Sequence, residues 1–419
     1  MPTTPTLTVL LSQLQAAVHA GQHTRAQALA HQIQQQLVLN SHEQAATERR
    51  VRELLAELNT RRLAQRSAAP SAPSPASTER SISAAPPANG QVYPVWFGTN
   101  RKPTFMGNSA SFSAERHDRT TLGRADVHVP EAHRFGETGS SLWQKLLRRD
   151  LRDDRLRIQH LQQQLPHETF YREIQAALQA ARDGGETSQA LVFLHGFNVS
   201  FEEAAIRAAQ IGCDLKVPGA TAFFSWPSRG SVTAYPADEA TIEASERAIT
   251  DFLVDFSTQC GAQKLHLVAH SMGNRGLVRA LARMSATAQA RSPARFSQII
   301  LAAPDVDRDL FLDLARVFPE HAERTTLYAS GADRPVHASA TLHDAPRAGY
   351  YTPYTVAPGI DTVAVPDFDI DLLGHSYFAQ AEALLHDMHD LMRHGQAPAR
   401  RQRLAPDVHE GQSFWKLRR

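Results

Sequence analysis

The stretch that decides the fold is Leu265-His266-Leu267-Val268-Ala269-His270-Ser271-Met272-Gly273-Asn274-Arg275-Gly276. Its apolar first half predicts a buried parallel strand, and a helical pattern begins directly after Ser271. A sharp strand-to-helix turn of this kind, a nucleophile elbow, needs small residues two positions before and two positions after its serine. Gly273 fills the second of these positions, while Ala269 brings one more methyl group than the usual glycine to the first. We therefore expect Ser271 to be a nucleophile presented at a turn.

Short apolar stretches alternate with helical patterns throughout residues 91–394. Besides the strand before Ser271, strands are predicted at residues 92–98, 123–130, 190–194, 220–225, 298–303, 325–330 and 361–365. This alternation is typical of an α/β fold, a mostly parallel sheet covered by helices. In such sheets, reactive side chains collect in the loops beyond the carboxyl ends of the strands.

Three regions flank this predicted catalytic domain. Residues 1–66 carry apolar side chains at helical spacing, which predicts a small helical region. We interpret it either as a packing or self-association arm or as an adaptor for a protein partner. Residues 67–90 are rich in proline, alanine and serine and predict a disordered linker, because they can bury too little apolar surface. Residues 395–419 predict a basic C-terminal tail. Its Phe414 and Trp415 either pack back on the domain or contact anionic lipid, a peripheral membrane contact.

The composition is that of an ordinary globular protein of 419 residues, 42% hydrophobic, with a formal net charge of +1. A net charge near zero gives no reason to expect a nucleic-acid partner. Two cysteines are too few for a disulfide framework, so we interpret both as reduced core residues. Neither a secretory signal nor an apolar run of about 18 residues is evident, which predicts a cytoplasmic protein.

A serine hydroxyl attacks only when a base takes its proton, and that base needs an acid to orient it. When the serine lies on an elbow, the acid and then the histidine follow later in the chain. Asp333 follows the strand that ends at Ser330, and His375 follows the last predicted strand. Ser271, Asp333 and His375 are therefore the predicted catalytic triad, with Asp305 as an alternative acid. This chemistry calls for no metal and no organic cofactor.

Acyl transfer also needs N–H donors for the oxyanion that develops on the carbonyl oxygen. The residue after the serine, Met272, supplies one backbone amide. The predicted second donor is the amide of Phe197, which follows Gly196, a residue whose missing side chain allows close approach of the backbone. We also expect His195, Gly196 and His270, which adjoin these donors and the serine, to contact the substrate.

Several motifs occur in one order along the chain: Phe97-Gly98-Thr99-Asn100-Arg101, Leu194-His195-Gly196-Phe197-Asn198, Phe224-Ser225-Trp226-Pro227-Ser228, Ala269-His270-Ser271-Met272-Gly273, Ala303-Pro304-Asp305, Ser330-Gly331-Ala332-Asp333-Arg334 and Gly374-His375-Ser376-Tyr377. Together they resemble the α/β-hydrolase superfamily of serine esterases and lipases, and within it a bacterial group known chiefly as a domain of unknown function. The resemblance covers about residues 92–394.

The resemblance implies an α/β-hydrolase fold and a serine hydrolase, and it implies little about the substrate. With the predicted triad, our leading hypothesis is cleavage of carboxylic esters of small molecules or lipids through an acyl-enzyme intermediate. The resemblance also implies that Trp226, Arg229 and Tyr235 line the pocket, although Trp226 is equally interpreted as part of a rigid turn packed on the core. Two alternatives stay open. The protein is either a latent effector or scaffold recruited by a partner through its N-terminal helices, or an acyltransferase using the same triad.

Overall fold

A computed structural model describes residues 12–13, 90–106, 109–131, 133, 155–230, 234–287, 295–331, 339, 344–365 and 378–418. The chain divides into two units, Met1–Ala85 and Pro86–Arg419, and the sheet and its helices belong to the second. The predicted helical region at residues 1–66 and the linker at 67–90 lie outside the described residues, except for positions 12, 13 and 90. Both assignments therefore stay predictions.

The strands of the described residues are β1 (Gly90–Met106), β2 (Ser109–Pro130), β3 (Arg157–Gln162), β4 (Gln189–Leu194), β5 (Gly219–Ser225), β6 (Lys264–His270), β7 (Phe296–Ala302), β8 (Ala322–Ser330), β9 (Ile360–Val365), β10 (Leu404–His409) and β11 (Gln412–Leu417). They form one eleven-stranded sheet in the order β10-β11-β9-β8-β7-β6-β4-β5-β1-β2-β3. Neighbours from β11 to β1 in this order pair in parallel, and the pairs β1–β2, β2–β3 and β10–β11 are antiparallel. The predicted mostly parallel sheet is confirmed.

The described helices are α1 (His167–Asp183), α2 (Phe201–Asp214), α3 (Tyr235–Ala244), α4 (Glu246–Gln259), α5 (Gly273–Thr287), α6 (Arg308–Leu314), α7 (Val317–His321) and α8 (Phe378–His394). They cover the sheet on both faces. Val192 and Leu194 of β4 pack in one apolar cluster with α1, α4 and α5, whereas Leu191 and Phe193 pack in a second cluster with α2 and α8. Because successive side chains of a strand point to opposite faces, a strand covered on both sides is apolar at most positions.

The first two strands are longer than the sequence patterns predicted. The apolar segments at 92–98 and 123–130 lie inside β1 and β2, and the antiparallel pair continues beyond them through residues 99–106 and 109–122. The pairing of β1 with β2 shifts register on either side of Arg101. Polar residues and irregular pairing together conceal the two-residue alternation by which a strand is recognised.

Residues 395–419 do not form the predicted basic tail. Their strands β10 and β11 make a hairpin that adds to β9, so the sheet continues to Leu417. The side chain of Arg401 is buried on the Asp387 carboxylate of α8, and the ring of Phe414 stacks on that of Tyr354 with 4.0 Å between centroids. Trp415 packs against the cluster formed by α2 and α8. The aromatic residues that suggested contact with lipid therefore pack on the protein.

In the part of the chain that the structure describes, no helix has both the length and the apolar character needed to cross a membrane. The cytoplasmic location stays a prediction.

Candidate active site

Ser271 lies where β6 ends and just before α5 begins at Gly273. Its φ angle of 48° falls in the left-handed region, which residues with side chains rarely adopt and which is typical of strained functional turns. The amide of Ser271 donates to the carbonyl oxygen of Ala302 at 2.9 Å, which fixes the turn to β7. The side chain of Ser271 is half-buried and so remains open to solvent. This is the geometry of a nucleophile elbow.

The two small residues around Ser271 have different reasons to be small. A Cβ atom on Gly273 would lie 2.5 Å from the carbonyl oxygen of His195 and 2.8 Å from that of Leu194, so no side chain fits there. Ala269 is wholly buried, and its methyl group is part of the apolar cluster on the α5 face of the sheet. The departure from the usual glycine at position 269 is therefore accommodated by packing.

Further hydrogen bonds hold the elbow in place. The side-chain amide of Asn274 donates to the carbonyl oxygens of Ser271 at 3.0 Å and Ala269 at 3.2 Å. The backbone amide of Asp305 donates to the carbonyl oxygen of Ser271 at 3.2 Å. Because the carbonyl of Ser271 accepts from Asn274 of α5 and from Asp305 in the loop after β7, the strained residue is held from two sides.

The two predicted oxyanion donors belong to the elbow itself and to the turn at Gly196. Met272 follows it directly, and a Cβ atom on Gly196 would be 3.0 Å from the Cβ atom of Ser271, so the Gly196 turn touches the elbow. Among the residues that the structure describes, the backbone amides of Phe197 and Met272 have no hydrogen-bond acceptor. Two such amides beside a serine provide the donors that a tetrahedral intermediate requires.

His195 and Trp226, both expected to contact substrate, are buried, with 1% and 0% of their surface exposed. Their rings stack at 5.1 Å between centroids, and the indole N–H of Trp226 donates to the carbonyl oxygen of His195 at 2.9 Å. Burial, and then the positive charge of Arg101, lowers the pKa of His195 to about 3, so the ring is neutral. This geometry does not fit a substrate-contacting role for the two side chains, and for Trp226 it favours packing on the core.

The other residues predicted to contact substrate or line the pocket range from buried to exposed. His270 ends β6 and faces Gly196, since a Cβ atom there would be 3.0 Å from the Nδ1 atom of His270. The ring of Phe197 packs edge-on against that of Tyr235 at 5.1 Å, and both side chains are half-buried. Arg229 is exposed.

The other two residues of the predicted triad, Asp333 and His375, lie outside the described residues. The strands that precede them, β8 and β9, are parallel to β6 and succeed one another in the sheet beyond β7. Their carboxyl ends therefore lie at the same edge of the sheet as Ser271.

More than half of the chain, residues 172–393, matches the family described as "Alpha/beta hydrolase of unknown function (DUF900)". The chain belongs to this family.

Solved structures similar to this DUF900 protein share little sequence with it. An uncharacterized protein from Bacillus cereus is 12% identical with a TM-score of 0.33, and the match covers 50% of this chain and 61% of that one. A predicted CIB-like hydrolase from Thermoplasma acidophilum is 14% identical with a TM-score of 0.30, covering 49% and 87% of the two chains. A putative hydrolase from Agrobacterium vitis is 14% identical with a TM-score of 0.32, covering 70% and 98%. No curated protein is significantly similar to this chain. None of these likenesses bears on its substrate.

Asp305, the alternative acid of this DUF900 protein, is buried with both carboxylate oxygens engaged. The hydroxyl of Ser339 donates to Oδ1 at 2.6 Å, and that of Tyr235 donates to Oδ2 at 2.5 Å. The guanidinium groups of Arg275 and Arg347 lie 3.7 and 3.6 Å from Oδ1. Asp305 thus joins α3, α5 and Ser339 beside the elbow, which is the pattern of a structural carboxylate.

Sequence reasoning missed the polar side chains beneath the Phe197 turn. Arg101, Ser225 and Asp238 are all buried and bonded to this turn or to its neighbour. Two of them belong to motifs that were recognised, but a motif does not show which way its polar side chains point. Nothing near Asp238 in the sequence marks it as a partner of residues forty positions earlier.

Proposed function

We propose that this DUF900 protein is a serine hydrolase that cleaves carboxylic esters through an acyl-enzyme intermediate. One observation carries the proposal. Ser271 is held at a left-handed φ of 48°, half-buried, beside two backbone amides that have no acceptor among the described residues. A strained serine next to unpaired donors is an arrangement suited to acyl transfer.

In the acylation step, His375 takes the proton of the Ser271 hydroxyl while the Oγ atom of Ser271 bonds to the acyl carbon. The π electron pair of the carbonyl moves onto oxygen, where the amides of Phe197 and Met272 donate to it. Asp333 orients His375 and stabilises its positive charge. When the carbonyl re-forms, the bond to the alcohol oxygen breaks, and that oxygen takes the proton from His375.

In the deacylation step, water takes the place of the alcohol. His375 removes a proton from the water while the water oxygen bonds to the acyl carbon. The amides of Phe197 and Met272 donate hydrogen bonds to the second oxyanion. Collapse breaks the bond to Ser271 Oγ, which recovers its proton from His375. The products are a carboxylic acid and the free enzyme. If an added alcohol replaces water in this step, the protein acts as an acyltransferase.

Labelling of the full-length protein with a fluorophosphonate probe tests the nucleophile. We expect the wild type to be labelled and Ser271→Ala to be unlabelled, because only an activated serine displaces the leaving group of the probe. A series of p-nitrophenyl esters then ranks acyl lengths, and added alcohols separate hydrolysis from acyl transfer. A folded wild type that is neither labelled nor active would contradict the proposal and favour the scaffold alternative.

Two isosteric variants test the acid. Asp333→Asn is expected to lower kcat by about 10⁴-fold, since the amide no longer holds the histidine in the productive tautomer. Asp305→Asn retains a carbonyl oxygen for a hydroxyl donor, so its kcat is expected to fall by less than about tenfold. Steady-state kinetics on the best p-nitrophenyl ester measures both. The opposite ranking would assign the acid to Asp305.

A further inference from the structure

Arg101 is a buried cation placed between the loops that follow β4 and β5. Only 1% of its surface is exposed. Its Nη2 atom donates to the carbonyl oxygen of Val199 at 2.8 Å, its Nη1 atom to that of Ser228 at 3.0 Å, and its Nε atom to the hydroxyl of Ser225 at 2.8 Å. Burying a guanidinium costs free energy that only well-placed acceptors offset. This side chain is therefore committed to holding two loops together at the catalytic edge of the sheet.

The hydrogen bonds that join Arg101, Ser225 and His195 have defined donors and acceptors. Arginine only donates, so the Ser225 oxygen accepts from Arg101, and the Nε2 atom of His195 lies 3.2 Å from the same oxygen. The Nδ1 atom of His195 lies 2.8 Å from the carbonyl oxygen of Gly196, which only accepts, so Nδ1 carries the proton. Burial keeps the ring neutral, so with the proton on Nδ1 the Nε2 atom accepts, and the Ser225 hydroxyl directs its hydrogen to Nε2.

The bond between the His195 ring and the Gly196 carbonyl sets the direction of the next amide. The peptide between Gly196 and Phe197 is trans, so its N–H points opposite to its C=O. With the Gly196 oxygen bonded to the His195 ring, the N–H of Phe197 is directed away from that ring. On the other side of Phe197, the Asp238 carboxylate accepts from the amide of Asn198, whose φ is 59°. Both peptides that adjoin Phe197 are thus fixed by buried side chains.

We propose that Arg101, Ser225 and His195 form a relay of positioning residues that holds the Phe197 amide in the orientation that receives the oxyanion. The inference rests on the proposed function and deepens it. It predicts that weakening the relay lowers the rate of the chemical step while substrate binding is retained, because an oxyanion donor acts mainly in the transition state.

The test uses full-length Arg101→Lys and Ser225→Ala on the p-nitrophenyl ester that the wild type hydrolyses best. Arg101→Lys keeps the charge but loses the planar fork, and Ser225→Ala removes the middle hydroxyl. Each is expected to lower kcat by at least about tenfold with KM within about twofold, since loss of a whole oxyanion donor costs about 10²–10³. Rates are normalised to the folded fraction measured by circular dichroism.

Arg401→Lys is the matched control, because Arg401 is an equally buried arginine that bonds α8 to β8. Its kcat is expected to equal that of the wild type. Unchanged kcat in both relay variants, or an equal loss in Arg401→Lys, would overturn the relay.

A second measurement is independent of activity. Nitrogen-15 spectra of labelled histidine, with the His195 signal identified by its loss in His195→Gln, report the tautomer. We expect the neutral Nδ1–H form in the wild type, and the Nε2–H form would overturn the relay. If the wild type shows the Nδ1–H form but neither labels nor hydrolyses esters, the proposed function fails while the relay stands as a structural device.

Discussion

Arg101 and Arg401 are buried to nearly the same degree, yet they use their charge differently. Arg401 lies on the Asp387 carboxylate and donates to the Tyr328 hydroxyl at 2.7 Å. Burial acts to lower the pKa of Arg401, but its interactions with Tyr328 and Asp387 outweigh this and raise it above the usual value. Arg101 bonds to neutral oxygens, and burial lowers its pKa to about 10. The ion pair of Arg401 holds two secondary-structure elements together, whereas Arg101, bonded to backbone carbonyls, fixes the orientations of peptide groups.

The largest expected effect concerns the ion pair between Arg401 and Asp387. Arg401→Met is expected to lower the free energy of unfolding by about 3–5 kcal/mol, because Asp387 is left as a buried charge without its partner. Urea denaturation measures the change. The double variant Arg401→Met, Asp387→Leu is expected to recover much of the loss, since it leaves no charge unpaired. A single variant as stable as the wild type would show that the pair does not hold α8 to the sheet.

The next largest effect is a dependence of stability on pH, and it arises from His195 in the cluster around Arg101. The pKa of His195 is about 3 in the folded protein, against about 6.5 in an unfolded chain. Below pH about 6.5 the unfolded chain binds a proton that the folded protein does not. The contribution of His195 to the free energy of unfolding therefore falls as the pH drops from about 6.5 toward 3, by about 2 kcal/mol at pH 5. Denaturation curves at several pH values measure this slope.

Two variants assign the slope to particular histidines. His195→Gln is expected to reduce it. His266→Gln is expected to reduce it similarly while kcat is unaffected, because burial, and then the charge of Lys264, also lowers the pKa of His266 to about 3. A slope unchanged by both substitutions would place the acid sensitivity elsewhere.

The smallest effect compares one hydroxyl from each cluster. Tyr328→Phe removes a donor to Asp387 at 2.7 Å, and Ser225→Ala removes the oxygen that accepts from Arg101 at 2.8 Å. Each is expected to cost about 1.5 kcal/mol of stability, the lower end of the range for a hydrogen bond to a charged group. Only Ser225→Ala is expected to lower kcat. Equal kcat values for the two variants would remove the functional distinction between the clusters.

The sequence predicted those parts of the fold whose signals are local. The alternation of strands and helices from β4 to β9 and the turn at Ser271 follow from apolar runs and neighbouring small residues. The hairpin of β10 and β11 was missed because its basic residues resemble a solvated tail. The burial of Arg401 depends on Asp387 and Tyr328, and no pattern within residues 395–419 indicates these partners.

The candidate site shows the same limit. Met272 and Phe197 were predicted as donors from their places beside the serine and after Gly196, and the structure puts their turns in contact. The role of His195 was not predictable, because it depends on Ser225 and Arg101, which are distant in sequence. A histidine next to a glycine predicts a turn near the nucleophile. It does not predict whether the ring faces the substrate or the core.

The contact between Gly273 and the carbonyl of His195 has an evolutionary consequence. A Cβ atom on Gly273 would lie 2.5 Å from that oxygen, and one on Gly196 would lie 3.0 Å from the Cβ atom of Ser271. Neither turn can change its shape without moving the other. The effects of substitutions in the two turns are therefore epistatic, and a larger residue at position 273 becomes tolerable only after the backbone at position 195 has shifted.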